Sequence, residues 1–563
     1  MSPHFFHSAV LHRSDRNRRL KRIAFFMSIV SASAVSVLAQ DGVNTRQAWQ
    51  VLDTEPEVLV NAQGLAQRNL SIRGGSYTGS GLSINGLRLK SPYSAHWNAE
   101  FPILGNLLSV PTVGTGIDNA SGHLVGTADF STRPLGDARQ VYAGLGTKEH
   151  YAGGIYASSE NVGGYFDWEK ARRIDSPEND LERSAGGAVF RIATEEWNID
   201  LIAAGQSKDY GAYGYYGQTN DVSHLLDDTL LYAGATRGDT DDAFVRISAF
   251  YRDMRDQVLD VSTPDYTDIF SRNFAAAAEG RTMEIQHLAL YVRGDLEYER
   301  VSGSIPDDDR TRGSLLFLPE ARFERFTVKA GVNSVFQTAE STDFLPIAGI
   351  DWFLTDNGVV SLSYTETEQQ PDFQTLENNP LLEQQHSKNT ELGFKQYLSE
   401  NSDWKIGAFF RTLENASDWI GGTATDLGRL NISGLDAAFS YYPNEQLRLS
   451  VYYQWVYKDN KIEDGLYETD YPEHLLNLSA YWHFLEQFSV QFSQTTRLQT
   501  ENSVRTGDDF GALATLGLHY SPSFAQNARL SFLVDNLWGS NFQSIPGLKS
   551  RPTTVFTGLS VNW

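Results

Sequence analysis

The glycine-rich stretch 69–90, NLSIRGGSYTGSGLSINGLRLK, is the first candidate for chemistry, because glycine-rich loops can hold a phosphate. A dinucleotide fingerprint needs G-x-G-x-x-G between a strand and a helix, so that the backbone can approach the pyrophosphate. After Gly79 and Gly81 the third required glycine falls on Ile84, and no Lys-Ser/Thr pair follows to make a P-loop. The spacing therefore argues against a nucleotide site.

Other residues that could form a functional site are the acidic clusters Asp239/Asp241/Asp242 and Asp307–Asp309. Their oxygens could bind Ca²⁺, although such runs are more often solvated loop tips, and both interpretations stay open here. The 12 histidines form no H-E-x-x-H motif, and no serine lies in G-x-S-x-G. We therefore assign no catalytic residue, metal ligand or cofactor, and predict that the protein is not an enzyme.

Composition narrows the class of protein. The chain has 563 residues, a formal net charge of -24 and no cysteine. A strongly acidic chain is a poor partner for nucleic acid, and the lack of cysteine excludes a disulfide scaffold and a cysteine zinc site. Aromatic residues reach 12% although the mean hydropathy is only -0.36, which is typical of many strands rather than many helices.

The N-terminal sequence has the pattern of a targeting segment. Residues 12–22 are basic, and the apolar run 23–38 ends in Val37-Leu38-Ala39, a small-x-small cleavage site. We predict a secretory signal over residues 1–39. The alternative is a membrane anchor, but the run is rich in Ser and Ala and shorter than the ~20 residues that a spanning helix needs.

From about Arg139 onward the sequence becomes a succession of segments with a period of two. In 447–457, LRLSVYYQWVY, alternate positions are apolar or aromatic, and segments 404–410, 476–484 and 488–492 repeat the pattern. Alternation over about ten residues is the signature of a strand that faces lipid on one side and a polar lumen on the other. A soluble sandwich also alternates, but the number and length of these segments favour a membrane barrel.

The last strand, TTVFTGLSVNW, places Val555, Leu559, Val561 and Trp563 on one face. An alternating terminal strand that ends in an aromatic residue resembles the C-terminal signal of bacterial outer-membrane barrels. Together with the secretory signal, it indicates the outer membrane of a diderm bacterium.

Residues 56–134 resemble the plug domain of TonB-dependent outer-membrane receptors. Ser71-Ile72-Arg73-Gly74 resembles the plug's I-R-G strand end, and Ser83–Leu87 resembles its hydrophobic-Asp-Gly-Val hairpin, with Asn85 in place of the usual Asp before Gly86. Asn and Gly both tolerate the positive φ of a tight turn. The plug motif residues are thus Arg73, Gly74, Asn85 and Gly86.

The later sequence resembles the barrel of the same family. Residues 379–393 resemble its Asn-Pro-Asp-Leu and Glu-Leu-Gly motifs, 432–436 resemble its Gly-Leu/Val-Glu strand, and 534–547 resemble the segment before the final strand. Within the plug, Thr115-Gly116 lies where the family usually has Arg-Gly-Pro. The resemblance extends from about Glu55 to Trp563.

The fold class that this resemblance implies is an all-β transmembrane protein, a large antiparallel barrel of about 22 strands with an N-terminal α/β plug domain inside the lumen. We predict a shortened plug over residues 40–134, with a short helix at 45–53, and a barrel over 135–563. Residues 139–563 allow roughly 19 residues for each strand with its connection, which fits ~10-residue strands with short loops. A count of 16–18 strands would also fit.

The function that the resemblance implies is a receptor that binds a scarce nutrient, such as a siderophore or cobalamin, at the cell surface. Import would use plug rearrangement coupled to the TonB complex, although no TonB box is evident before residue 55. The expected partners are TonB, outer-membrane lipid and a small-molecule ligand, with the protein a monomer. The alternative is a plugged barrel without TonB coupling, acting as a substrate-selective porin or a surface-binding protein.

Position in the family pattern makes segments 61–67 and 89–98 candidates for the ligand face, because amide and aromatic groups can hydrogen-bond to and stack on a ligand. The candidate residues are Asn61, Gln63, Lys90, Tyr93, His96, Trp97 and Asn98. An equally good interpretation is that Tyr93 and Trp97 pack against the barrel wall.

The tyrosine-rich segment KDYGAYGYYG, on an expected extracellular loop, is the third candidate. It contains Tyr210, Tyr213, Tyr215 and Tyr216, of which Tyr213 and Tyr215 are the proposed ligand contacts. The alternative here is an aromatic girdle at the membrane interface.

Overall fold

The computed structural model describes residues 51–563 except 53–54, 173–178, 218–221, 241, 261–265, 339–340, 461, 549 and 551. The predicted signal segment 1–39 lies outside the described residues. So does most of the predicted helix 45–53, of which Val51 and Leu52 are helical.

Six short strands come first along the chain. They are β1 (Val58–Gln63), β2 (Gln67–Ile72), β3 (Ser80–Ile84), β4 (Leu87–Leu89), β5 (Thr112–Gly114) and β6 (Gly126–Phe130). β1 and β2 form an antiparallel hairpin, while the other four form a sheet of order β4-β3-β6-β5 in which β3 and β6 run parallel. Three 3-10 turns lie between these strands, at Ala95–Trp97, Gly105–Leu107 and Gly116–Asn119.

The next 22 strands close into one antiparallel barrel, because β28 pairs with β7. This count confirms the predicted number. The strands are β7 (Ala138–Gly146), β8 (His150–Ser158), β9 (Val162–Ala171), β10 (Leu181–Ala193), β11 (Trp197–Gly211), β12 (Val222–Gly238), β13 (Phe244–Asp260), β14 (Tyr266–Arg281), β15 (Leu288–Gly303), β16 (Asp308–Arg322), β17 (Phe326–Gln337), β18 (Asp343–Thr355), β19 (Gly358–Gln369), β20 (Gln385–Ser399), β21 (Ser402–Ile420), β22 (Thr423–Asn444), β23 (Leu447–Lys458), β24 (Pro472–Leu485), β25 (Phe488–Gln499), β26 (Phe510–Tyr520), β27 (Ala528–Asp535) and β28 (Thr554–Asn562).

Alternation along the barrel strands separates a lipid face from a lumen face. On β23, Leu449, Val451 and Tyr453 are 38–40% exposed on the outside, whereas Tyr452 and Gln454 are 1–2% exposed on the inside. Apolar side chains of this kind surround the whole barrel, as a bilayer requires. Among the described residues, no helix has the length and apolar character that a membrane crossing demands.

The two ends of the barrel differ. At the end where β7 begins and β28 finishes, connections are short, such as 356–357 between β18 and β19 or 445–446 between β22 and β23. At the opposite end lie the long connections 370–384, 459–471 and 536–553. The first of these contains a helix, Phe373–Asn378, and the connection after β11 contains a 3-10 turn at Tyr215–Gly217. Short periplasmic turns and long extracellular loops identify the second end as the outer one.

The six short strands lie inside the lumen and form the plug. All six residues of β2 are buried, and its Leu70 and Ile72 belong to an apolar core that also contains wall residues such as Ile202 and Phe250. Between β3 and β4 the chain turns at Asn85 and Gly86 with φ of 48° and 78°, so the predicted hairpin turn is confirmed. The plug and the wall thus share one core.

Candidate functional site

Arg73 connects the plug to the barrel wall. β2 ends just before it, and Arg73 and Gly74 turn the chain with φ of 48° and 70°. The Arg73 guanidinium lies with Nη1 2.7 Å from Glu391 Oε2 on β20 and with Nε 2.9 Å from Asp436 Oδ2 on β22. These three residues, which we call the Arg73 clamp, hold the end of β2 between two wall carboxylates.

Glu391 has two further partners. Thr115 Oγ1 donates a hydrogen bond to Glu391 Oε2 at 3.2 Å, and Asn389 Nδ2 donates to Oε1 at 2.5 Å. Thr115 lies at the position where the family motif usually has arginine. In this chain a plug hydroxyl therefore bonds to the carboxylate of Glu391.

The Asn85–Gly86 turn makes a second attachment to the wall. Asn85 Nδ2 donates to the Tyr232 hydroxyl at 2.6 Å, and the Gly86 carbonyl accepts from Arg293 Nη2 at 2.7 Å. A Cβ at residue 86 would lie 2.3 Å from the Arg293 guanidinium. Glycine is thus required here both for its positive φ and for the close approach of Arg293.

Lys90 lies in a charged layer between the plug and the wall. Its Nζ is 3.7 Å from Glu299 and 4.0 Å from Glu297, and Glu297 also accepts from Arg88 at 2.5 Å. Burial lowers the pKa of Lys90, while Glu297 acts in the opposite direction. Since Lys90 already faces wall carboxylates, its observed contacts are those of a plug attachment.

Four aromatic rings meet at the outer end of the plug, and we call them the apex cluster: Tyr77, His96, Tyr216 and Tyr467. The His96 ring stacks on Tyr77 with centroids 3.9 Å apart, and it also lies 4.7 Å from Tyr216 and 5.1 Å from Tyr467. His96 Nδ1 is 3.1 Å from Asn69 Oδ1, which makes Nδ1 the donor. Burial lowers the pKa of His96 to about 3, so the ring is neutral near pH 7.

Two small cavities flank the apex cluster and share Ser76, Tyr77 and Tyr467 in their walls. Each has a volume of about 20 Å³, room for about one water molecule. Among the described residues, Asn69 Nδ2 and the Tyr467 hydroxyl have no hydrogen-bond partner. The apex therefore presents unpaired donors to small polar cavities, and a ligand larger than water requires the surrounding loops to move.

Three of the predicted amide residues have different environments. Asn61 lines the cavity beside Asn69, and its Oδ1 accepts from Arg497 Nη1 at 2.6 Å. Gln63 Oε1 accepts from the backbone N–H of Tyr216 at 3.2 Å, whereas Asn98 Oδ1 accepts from the backbone of Ser91 at 2.9 Å. Of the three, Asn61 is next to a cavity, and the other two hold the local backbone.

The predicted aromatic residues also have different environments, some buried against the wall and one exposed. Trp97 packs in one apolar cluster with Tyr210 and Tyr215, which come from the end of β11 and the loop after it. Trp97 therefore packs against the wall, as one of the two interpretations had it. Tyr210 and Tyr215 are buried inside the barrel, so the girdle interpretation is wrong for them, whereas Tyr213 on the same loop is exposed.

The loop 370–384 covers the plug near Tyr93. The backbone N–H groups of Phe373 and Gln374 donate to the carbonyls of Pro92 and Tyr93 at 3.1 and 2.8 Å. Asp372 caps the loop helix, accepting from the Thr375 N–H at 2.8 Å. This backbone pairing closes the outer end over residues 92–95.

The acidic clusters lie at opposite ends of the barrel. Asp239 and Asp242 lie in the short connection after β12, and Asp241 is outside the described residues. Asp307, at the outer end, pairs with Arg300 at 3.3 Å. Within the described part of the chain no group of three or more His, Asp or Glu side chains is arranged to hold a metal ion.

Sequence reasoning did not select Tyr77, Asn69 or Tyr467. Tyr77 is the single aromatic residue of the stretch 69–90, and an aromatic side chain among turn glycines was a signal that could have identified it. Tyr467 lies in the irregular connection 459–471, where no local pattern indicates its contact with the plug.

The closed barrel with a lipid-facing apolar band, and the plug that fills its lumen, define the class of the protein: a plugged outer-membrane β-barrel. A model of the family described as TonB dependent receptor-like, beta-barrel matches residues 73–542. The chain therefore belongs to this receptor family. It is a protein of the bacterial outer membrane and not an enzyme.

Solved structures share the fold at low sequence identity. The FrpB iron transporter from Neisseria meningitidis is 11% identical with a TM-score of 0.73, covering 93% of this chain and 97% of that one. A variant of the ferric enterobactin receptor PfeA from Pseudomonas aeruginosa is 14% identical with a TM-score of 0.72, covering 92% and 96%. The copper transporter OprC is 13% identical with a TM-score of 0.70, covering 90% and 94%. No curated protein sequence matches the chain.

Proposed function

We propose that the protein binds a scarce nutrient ligand at the cell surface and imports it by a plug rearrangement coupled to TonB. The observation that carries this proposal is the plug itself, which fills the lumen and is attached by ion pairs and hydrogen bonds such as the Arg73 clamp. These attachments are non-covalent and can break one at a time. A plug of this kind turns a wide barrel into a gated path.

Ligand capture is assigned to the outer end of the plug. Asn61, Tyr77 and Tyr467 border the cavities. Tyr93 lies under the loop 370–384, and Tyr213 is exposed on its own loop. Gln63, Lys90, Trp97, Asn98 and Tyr215 support this surface through the contacts described above. The structural neighbours are named as iron, ferric enterobactin and copper proteins, so ferric chelates and copper ions are the first ligands to test.

Uptake in whole cells tests the proposal. Cells that carry the protein in the outer membrane are given labelled ferric siderophores, cobalamin or copper, with and without a protonophore, and a variant lacking residues 41–50 is run in parallel. We expect uptake of one ligand class that falls to background under both treatments. Uptake that is indifferent to the protonophore and to the deletion would contradict coupling through TonB, and would leave a selective porin as the function.

A further inference from the structure

Arg411 is a buried cation without a hydrogen-bond partner in the part of the chain that the structure describes. It lies on the lumen side of β21 with 0% of its side chain exposed. Among the described residues, none accepts a hydrogen bond from its Nε, Nη1 or Nη2, and its guanidinium lies 5.5 Å from the centre of the Phe409 ring. A buried charge without a counter-ion is costly, and it requires a physical explanation.

Phe409 places Arg411 beside the Arg73 clamp. The Arg73 guanidinium lies 5.1 Å from the centre of the same ring. The ring has room because residue 434 is glycine, where a Cβ would lie 2.2 Å from it. Glu391 is directly opposite Phe409 in the pairing of β20 with β21. The Phe409 ring is therefore shared by a plug guanidinium and a wall guanidinium, and Glu391 lies opposite it on the neighbouring strand.

Glu391 is the carboxylate that Arg411 can use. It lies opposite Phe409, and the Arg411 guanidinium is 5.5 Å from the centre of that ring. With the plug in place, however, Glu391 is bound by Arg73 and Thr115 from the plug. If the plug moves, both plug partners leave, and Glu391 would keep the hydrogen bond from Asn389 but have no cation other than the nearby Arg411.

We propose that Arg411 is the counter-ion that receives Glu391 when the plug withdraws Arg73. The exchange replaces an ion pair between plug and wall by an ion pair within the wall. Release of the plug therefore does not leave the carboxylate of Glu391 without a cation. Arg411 is destabilising in the closed state and stabilising in the open state, and both effects favour opening. This role rests on the plug movement of the proposed function, and it makes Arg411 a gating residue without any contact to the ligand.

The test is the conductance of single barrels in planar bilayers as urea is raised, using the full chain without ligand or TonB. We expect R411Q to raise the urea concentration for opening by about 1 M, because the open state loses its counter-ion. R411K, which keeps the charge, should stay near the wild type. An R411Q midpoint equal to or below that of the wild type would overturn the proposal.

A double variant separates ion exchange from a general structural effect. In R73Q the carboxylate of Glu391 is free to pair with Arg411 in the closed state as well, so adding R411Q should no longer raise the midpoint above that of R73Q alone. If R411Q raises the urea midpoint in the R73Q background as much as in the wild type, the proposed ion-pair exchange is wrong. The control is R183Q, since Arg183 pairs with Asp167 at 2.8 Å and Gln206 at 3.1 Å, all on the wall.

This assay is independent of uptake. A midpoint raised by R411Q together with uncoupled uptake would contradict the proposed function and leave the exchange intact. An unchanged midpoint together with TonB-coupled uptake would contradict the exchange alone. Heat-dependent migration on gels verifies that each variant has a folded barrel.

Discussion

At the scale of single residues, the plug depends on a few polar contacts that cross from lumen to wall. Arg73, Glu391 and Asp436 come from separate motifs, and they meet because β2 ends where β20 and β22 direct carboxylates inward. In a buried setting the loss of one partner leaves an uncompensated charge, which costs more than the pair itself contributes. Residue substitutions at these contacts should therefore affect the plug before they affect the barrel.

Replacing Arg73 by Gln should loosen the plug. The change leaves Asp436 without its plug cation, and removal of one partner from a buried pair typically costs about 3 kcal/mol. We expect the plug to open at a lower urea concentration in the bilayer conductance assay. Arg73→Lys keeps the charge with fewer donors and should give an intermediate midpoint. A wild-type midpoint for Arg73→Gln would show that the clamp does not hold the plug.

Acidification should weaken the apex through His96. Burial lowers the pKa of its imidazole to about 3 in the folded protein, against an ordinary value near 6.5. The open or unfolded apex then binds the proton first, so the stabilisation is complete above pH 6.5 and falls as the pH drops from about 6.5 toward 3. Between pH 6.5 and 5 the loss amounts to about 2 kcal/mol.

Hydrogen exchange of residues 67–98, corrected for the intrinsic rate, measures this effect at pH 7 and pH 5. Protection should drop at pH 5 in the wild type and drop less in His96→Gln, which cannot take up the proton. His123, whose pKa burial also lowers to about 3, supplies a second contribution from the plug core. Equal loss of protection in the wild type and in His96→Gln would rule out His96 as the source.

At the scale of elements, the outer loops complete the plug. The loop 370–384 pairs its backbone with Pro92 and Tyr93, and the connection 459–471 brings Tyr467 into the apex cluster. Both loops therefore stabilise the closed state, and both must shift before anything larger than a water molecule reaches the cavities. The movable elements of the gate include the loops as well as the plug.

Removal of the helix cap at Asp372 should release the loop 370–384. An Asp→Ala change at an N-cap costs about 1 kcal/mol, whereas Asn caps a helix as well as Asp does. We expect roughly fivefold faster amide exchange at Phe373 and Gln374 in Asp372→Ala, with Asp372→Asn close to the wild type. If both variants exchange at the wild-type rate, the cap does not hold this loop.

At the scale of the whole molecule, stability comes from closure of the barrel. β28 pairs with β7, so within the described strands no sheet edge of the barrel faces the lipid. The outer surface is apolar, while the polar and charged residues that attach the plug face inward. The barrel can therefore stay intact while the plug changes position.

A charge on the lipid face should destabilise the barrel itself. Leu392 is 52% exposed on β20, and an arginine there would cost about 2–4 kcal/mol near the middle of the bilayer. Leu381, 87% exposed on the loop 370–384, offers the same substitution outside the membrane. Unfolding in urea, followed by heat-dependent migration on gels, should show a loss for Leu392→Arg and none for Leu381→Arg. Equal stability of the two variants would contradict the assigned lipid face.

Local patterns were sufficient for much of the fold. Alternation predicted the strands and the outward face of segments such as 447–457, while the family resemblance implied about 22 strands, a count that the chain length could accommodate. The Asn85–Gly86 turn followed from the resemblance to the plug hairpin, and both residues tolerate the backbone conformation that it needs. These features depend on neighbours within about ten residues, and such information is present in the linear sequence.

The site was predicted less well, because its contacts cross the barrel. Lys90 was expected at the ligand face, and its contacts instead are with Glu297 and Glu299 on β15. Tyr210 and Tyr215 were candidates for a ligand-binding loop or an aromatic girdle, whereas in the structure both are buried beside Trp97 of the plug. Two-residue periodicity shows that side chains alternate between the two faces of a strand. It does not show which plug residue each inward side chain contacts.

Sequence patterns alone indicated the class of the protein: an acidic, cysteine-free chain of alternating strands with plug motifs and an aromatic residue in its last strand segment. Tertiary structure alone decided which charges pair, since strand register and barrel closure set the inward positions of Glu391, Asp436 and Arg411 around one plug arginine. The physical reason is the distance along the chain over which each interaction acts. Strand and turn propensities act locally, whereas a buried ion pair depends on burial and distance, which exist only once the barrel has closed around the plug.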